Sequence, residues 1–301
     1  MKYFITICIL SGINIITVSG LAVLTGFCGI FSMGHAGFMA IGGYFAACMN
    51  IYAGVHFIPA IIMGGAAAAL VSLPLGYVTL KNKLSGDYFA IAMLGFGESV
   101  RLIIANTKPY IQGAMGLTGI PKKVDIWVVL AFAAIIVYFI GNFLKSQYGK
   151  NLTAIRLQDE AAEMMGVPVM ENKIWVFAIS AFTAGIGGAL YGFFTTTLYP
   201  GNFGSAKSTD ILAAVVFGGI NSLTGPIIAA VLLVALPELL RVFAAWRLVV
   251  YGLMFVVIML FRPEGLLGYK EFSFPGIIRF LKIIFHKIIP SKGGIGADEG
   301  Q

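Results

Sequence analysis

The sequence predicts an all-α fold, a polytopic bundle of transmembrane helices. Three observations lead there. Hydrophobic residues make up 59% of the 301 residues, against about 45–50% in a soluble domain. Charged residues supply only 11%, where about 25% is usual. Several apolar runs exceed the ~18 residues that read as a membrane span, and no soluble core of this size needs so much apolar surface.

Apolar runs set against polar breaks give about nine membrane segments, within a range of about eight to ten. Residues 3–25 follow a single lysine and continue past Gly20, which favours an uncleaved first span over a cleaved signal peptide. Segments 36–52, 57–80, 86–105 and 126–144 come next, then a polar insert over 145–173, then 174–198. Two short runs, 210–222 and 226–240, read as half-helices or a re-entrant pair, which a membrane tolerates only when buried in protein or lining water. The last segment is 247–262, so a permease-like membrane domain would occupy 1–273. In the tail, 274–301, "FPGIIRFLKIIFHKII" places Arg279, Lys282 and His286 on one stripe of an apolar helix, suited to an anionic lipid surface. The final "SKGGIGADEGQ" reads as disordered.

The net charge of +7 is what Lys/Arg-rich cytoplasmic loops produce. No basic run interleaved with aromatics appears, so nucleic acid is not an expected partner. Lys81, Lys83, Lys145, Lys150, Arg156, Lys173 and the basic tail fall on one side and outnumber Lys2, Lys108, Lys122, Lys123, Lys207, Arg241 and Arg247 on the other. That bias predicts a cytoplasmic insert and C-terminus and an external N-terminus. Cys8, Cys28 and Cys48 lie in apolar runs without metal spacing and read as small packing residues. Runs such as "GGAAAAL" from Gly64 and "GIGGALYG" from Gly185 are what close helix packing in lipid requires.

Two stretches resemble each other, "GIFSMGHAGFMAIG" from Gly29 and "GINSLTGPIIAAVL" from Gly219. Each has Gly-Ile-x-Ser and then a glycine-containing break into a small-residue run. An internal repeat with broken segments would point to a transport path, though a Gly/Ala-rich chain produces such matches by chance.

The polar insert contains "RLQDEAAEMMGV". At 3.6 residues per turn, Arg156, Asp159, Glu160 and Glu163 form a charged stripe, opposite Leu157, Ala161, Met164 and Met165. Gly166 stands where a left-handed cap would fall, and Pro168 blocks continuation. The spacing thus predicts one amphipathic helix of about three turns. Surface-lying membrane helices are usually basic on the polar face, and this one is acidic. Docking into a groove of another protein is the better account, with methionines adapting to the groove.

"EAAEMMG" matches the E-A-A-x-x-x-G motif of the coupling loop in ABC importer permeases. "SMGHAGFMAIGGYFAA", "LGFGESVRLI", "GLTGIP", "ENKIWVFAISAFTAGIGGALYGF" and "FRPEGLLG" extend the resemblance along nearly the whole chain to the branched-chain amino-acid permease family, LivM type. The Gln112–Gly119 region departs from that pattern, where the family often has Gly-Gly and Asn. The resemblance implies an ABC importer permease fold, with Arg156, Asp159, Glu160, Ala161, Ala162, Met165 and Gly166 in a cleft of an ATPase subunit. It implies as partners a second permease of LivH type, two ATPases of LivG and LivF type and an extracytoplasmic binding protein. Membrane lipid completes the surroundings, a bacterial or archaeal plasma membrane. The implied substrates are leucine, isoleucine and valine, although relatives with this signature also move small solutes such as urea.

Glu98 and Arg101, at i and i+3, share a helix face inside a span. Such a pair either lines the translocation path or neutralises itself in the interior. Ser32 and His35 either cap helix ends or contact the path, and Asn221 and Ser222 read likewise. Asp210 reads as a helix N-cap. No enzyme chemistry is visible: His35, His56 and His286 are scattered, so a metal lacks ligands, and no phosphate-cradling loop is present. This chain is expected to bind no cofactor of its own, with ATP and Mg on the partner ATPases. An ion-coupled secondary transporter is the first alternative, with Glu98 the one good mid-span acid. A membrane enzyme is the second.

Overall fold

Apolar helices account for nearly all of the computed structural model, which describes residues 2–82 and 86–239 together with Gly252 and Gly265. Helix α1 (Lys2–Leu21) continues through a π-helical turn, Ala22–Phe27. After it come α2 (His35–Tyr52), α3 (Phe57–Lys81) and α4 (Gly86–Asn106). A single turn, α5 (Lys108–Ile111), leads into a loop and α6 (Ile126–Lys145). The insert forms α7 (Gln147–Leu157) and α8 (Asp159–Met164). Then α9 (Val169–Thr195), α10 (Ser205–Gly218) and α11 (Thr224–Leu239) complete the described chain.

Among the described residues five helices are long and apolar enough to cross a membrane: Phe4–Phe27, α3, α4, α6 and α9. The 14 residues of α10 reach only about 21 Å at 1.5 Å per residue, short of the ~30 Å hydrocarbon core. The first helix of the expected short pair is therefore observed as a short helix, and α11 is described as far as Leu239. Apart from Gly252, the expected segment 247–262 lies outside the described residues, as does the tail 274–301.

The centre of the bundle is α9, packed against α3, α2 and α1. Glycine makes this packing close: a Cβ on Gly64 would lie 2.5 Å from the Gly42 carbonyl, and one on Gly43 only 2.8 Å from that of Gly188. Backbone meets backbone there, as the glycine-rich runs predict. Helix α6 touches mainly α1 and turns Trp127, Tyr138 and Phe139 outward. An apolar exterior of this kind suits lipid and would promote association in water.

Leu117 and Leu198 form an antiparallel bridge, each N–H donating to the other's carbonyl at 2.9 Å. The Tyr44 hydroxyl adds a 2.7 Å bond to the Leu198 carbonyl. This pins the "GLTGIP" loop to the segment that follows α9, and that segment to the middle of α2. Among the described residues it is the one strand-like pairing.

Candidate functional site

The insert does not form the one three-turn helix its periodicity predicts. Gln158 is extended, with φ −162° and ψ 113°, and separates α7 from α8. The predicted stripe is thereby broken. Asp159, Glu160 and Glu163 stay together on α8, whereas Arg156 belongs to α7 and turns back toward the bundle. Its Nη1 donates to the Gly26 carbonyl at 2.6 Å and to Asn221 Oδ1. A fully helical 156–159 would swing the guanidinium round with the acids, away from these acceptors.

The end of α8 follows its prediction. Gly166 has φ +81°. Its N–H reaches the Glu163 carbonyl at 2.9 Å, and the Val167 N–H reaches that of Ala162 at 3.1 Å. This is the Schellman pattern, which satisfies the last helical carbonyls. At the other end Asp159 pairs with Lys173 on α9, tying α8 to the central helix.

Leu152 and Ile155 of the insert are buried against the bundle, whereas three other large apolar residues around α8 point outward. Leu157 is 83% exposed, Met164 88% and Met165 84%. Ala161 is exposed beside them, and Ala162 is buried against the bundle. These side chains form an uncovered apolar face on a polar segment that is itself pinned to the bundle. Behind it lies a cleft of about 500 Å³, lined among others by Gly29, Phe89, Arg156 and Lys173.

The two similar stretches both form breaks. Gly29 has φ +77° and Gly219 φ +113°. In each the serine oxygen accepts a backbone N–H a few residues on: Ser32 from Gly34 at 3.4 Å, Ser222 from Gly225 at 3.2 Å. Each break leads into a helix, α2 or α11. Arg156 lies against both, its side chain beside Gly29 and its Nη1 on Asn221. The π-helical turn at the end of α1 is the third party, and neither it nor its contact with Arg156 has a signal in the sequence.

Ser32 and His35 are fully buried. His35 Nε2 bonds to Ser180 Oγ of α9 at 2.6 Å, and the Ala36 N–H bonds to Ser208 Oγ of α10 at 3.0 Å. These contacts join the first turn of α2 to the middle of α9 and to α10. Ser222 is buried too.

Glu98 and Arg101 do pair, Nε to Oε2 at 2.6 Å. The second carboxylate oxygen accepts the Ser205 N–H at 2.8 Å. The pair is therefore more than a self-neutralised couple: its acid caps the start of α10, where helix N–H groups lack partners. Because α10 begins at Ser205, Asp210 lies within the helix and is not its N-cap. Lys207 comes with it into the bundle, its Nζ on Asn14 Oδ1 at 3.1 Å. Sequence reading left Lys207 in a loop; "SAKSTD" after Gly204 was the available start signal, with serine and threonine competing as caps. Among the described residues no cluster of His, Cys, Asp and Glu could hold a metal ion.

Apolar spans and a pair of helices parted by a glycine break make a polytopic helical membrane permease. The chain belongs to the branched-chain amino acid transport system / permease component family, whose pattern matches residues 3–259. It is 32% identical over 297 residues to the high-affinity branched-chain amino acid transport system permease protein LivM of Escherichia coli, covering 87% of this chain and 69% of that one. The probable LivM of Methanocaldococcus jannaschii is 23% identical, over 71% of this chain and 68% of its own. The nucleoside ABC transporter permease protein NupB of Lactococcus lactis is 29% identical, over 64% and 52%. No solved structure matches the chain.

Proposed function

We propose that this chain is the membrane-spanning subunit of an ABC importer that carries branched-chain amino acids into the cell. It acts with a second permease of LivH type, two ATPases of LivG and LivF type and an extracytoplasmic binding protein. ATP and Mg bind the ATPases, and this chain performs no chemistry itself. It sits in a bacterial or archaeal plasma membrane with its N-terminus outside, its permease domain over 1–273 and its 274–301 tail on the inner leaflet.

The observation that carries the reading is the exposed apolar face of Leu157, Met164 and Met165 on an otherwise polar insert. Such a face suits a groove in a partner. ATP-driven closure of the ATPase pair would push α7 and α8 together with α9, to which Lys173 ties them. Arg156 would hand that motion to the π-helical turn of α1 and to the Gly219–Ser222 break. Displacement of the break would move α10 and α11, with Asn221 and Ser222 at their junction and Glu98 with Arg101 at the far end of α10. Ser32 and His35 would brace α2 against the same movement.

Proteoliposomes holding the assembled transporter test this directly. With binding protein outside and ATP inside, labelled leucine should accumulate, and collapsing every ion gradient should leave its rate unchanged. Uptake that follows an ion gradient and ignores ATP would establish the secondary-transporter alternative instead.

A further inference from the structure

A polar pocket of about 280 Å³ lies between α1, α10 and α11, with Asn14, Lys207 and Asp210 among its lining residues. Asn14 falls halfway along the first span, Phe4–Phe27, and Lys207 Nζ bonds to it at 3.1 Å. The pocket is thus at mid-span depth, where charged side chains are rare and mark transport pathways. Asp210 follows Lys207 by one helical turn, yet no ion pair joins the two among the described residues. Asp210 is exposed, and a carboxylate at this depth cannot be left to face acyl chains. The side of the bundle formed by α10 and α11 therefore faces a path or a partner subunit.

We infer that this pocket is a mid-membrane subsite for an α-amino acid zwitterion, a reading that rests on the importer function proposed above. The Lys207 ammonium and the Asn14 amide would take the carboxylate, and Asp210 the ammonium. Val18, Ile211 and Leu233 line the same pocket and offer aliphatic surface to a branched side chain. Lys207 and Asp210 lie within electrostatic reach of each other without forming a direct ion pair, so a ligand that carries both charges can bridge them. A neutral solute such as a sugar or urea would displace their water without supplying either charge. The volume falls just below the ~300–1,000 Å³ of drug-sized ligand pockets, as one small solute requires. Mid-depth sites beside discontinuous helices are a recurring solution in transport proteins.

The test uses the whole transporter with its ATPases and binding protein in proteoliposomes. Lys207→Met and Asp210→Asn should each lower leucine transported per ATP hydrolysed by roughly tenfold or more, because they remove contacts made during passage. ATP hydrolysis stimulated by the binding protein should stay within about twofold, since docking and Arg156 are untouched. The conservative Lys207→Arg and Asp210→Glu should recover most of the uptake, and Thr209→Ala, outside the pocket, should change nothing. Unchanged uptake in the neutral variants overturns the subsite. Hydrolysis and uptake falling together, or a variant that fails to assemble and is not rescued by its conservative counterpart, also overturns it in favour of a structural role. If the unaltered transporter ignores ATP, the importer reading fails, while dependence of its uptake on Lys207 and Asp210 still decides the pocket.

Discussion

Arg156 joins three pieces of chain that are far apart in sequence: the polar insert, the end of the first span and the Gly219–Ser222 break. A hydrogen bond from a charged donor contributes about 1.5–3 kcal/mol, and every ~1.4 kcal/mol is a factor of ten in rate. Arg156→Ala should therefore leave the assembled transporter able to hydrolyse ATP while slowing uptake by about tenfold or more. Paired hydrolysis and uptake measurements on one preparation check this; a variant that transports normally would remove Arg156 from the coupling route. The residue itself was legible as part of the polar insert. Its direction was not, because periodicity assumes an unbroken helix and Gln158 is extended. Glu98 and Arg101 were legible as a pair from their spacing, but the bond to Ser205 spans 107 residues and leaves no local mark. Lys207 and Asp210 were misplaced together by one error, a helix start set too late.

At the scale of elements, the long spans could be read from apolar length alone: α3, α4 and α6 fall where the sequence puts them, while α9 begins earlier than expected, at Val169, because the polar Glu171, Asn172 and Lys173 belong to its first turns. The break between α10 and α11 was equally visible, because glycines interrupt the hydrophobic run. Which helix lies at the centre was carried by the small residues, where α2, α3 and α9 touch through backbone. Gly42→Val should be destabilising well beyond the ~1–3 kcal/mol typical of an overpacked side chain, since the obstacle is the Gly185 backbone rather than a rotatable group. Thermal unfolding in detergent should show a clear drop in midpoint for Gly42→Val and almost none for Gly141→Val, whose position meets nothing within 4 Å. Equal midpoints would mean that the α2–α9 contact is not what orders the bundle centre.

For the whole molecule, the described helices form an apolar bundle with one polar projection, and the projection is rigidly attached: Asp159 to Lys173, Ala162 into the bundle, Arg156 to two membrane segments. A rigid attachment is what mechanical coupling needs, since a flexible insert would absorb motion instead of passing it on. On this projection Leu157, Met164 and Met165 are left without cover. The central claim is that an ATPase subunit covers them. The most direct measurement is site-specific crosslinking from a photoreactive residue at position 164 in the assembled transporter, with position 138 on α6 as the lipid-facing control. The account predicts that position 164 crosslinks to an ATPase subunit, with a yield that changes between the ATP-bound and nucleotide-free states, and that position 138 does not. Crosslinks from position 164 to lipid alone, or to no protein in either state, would contradict it.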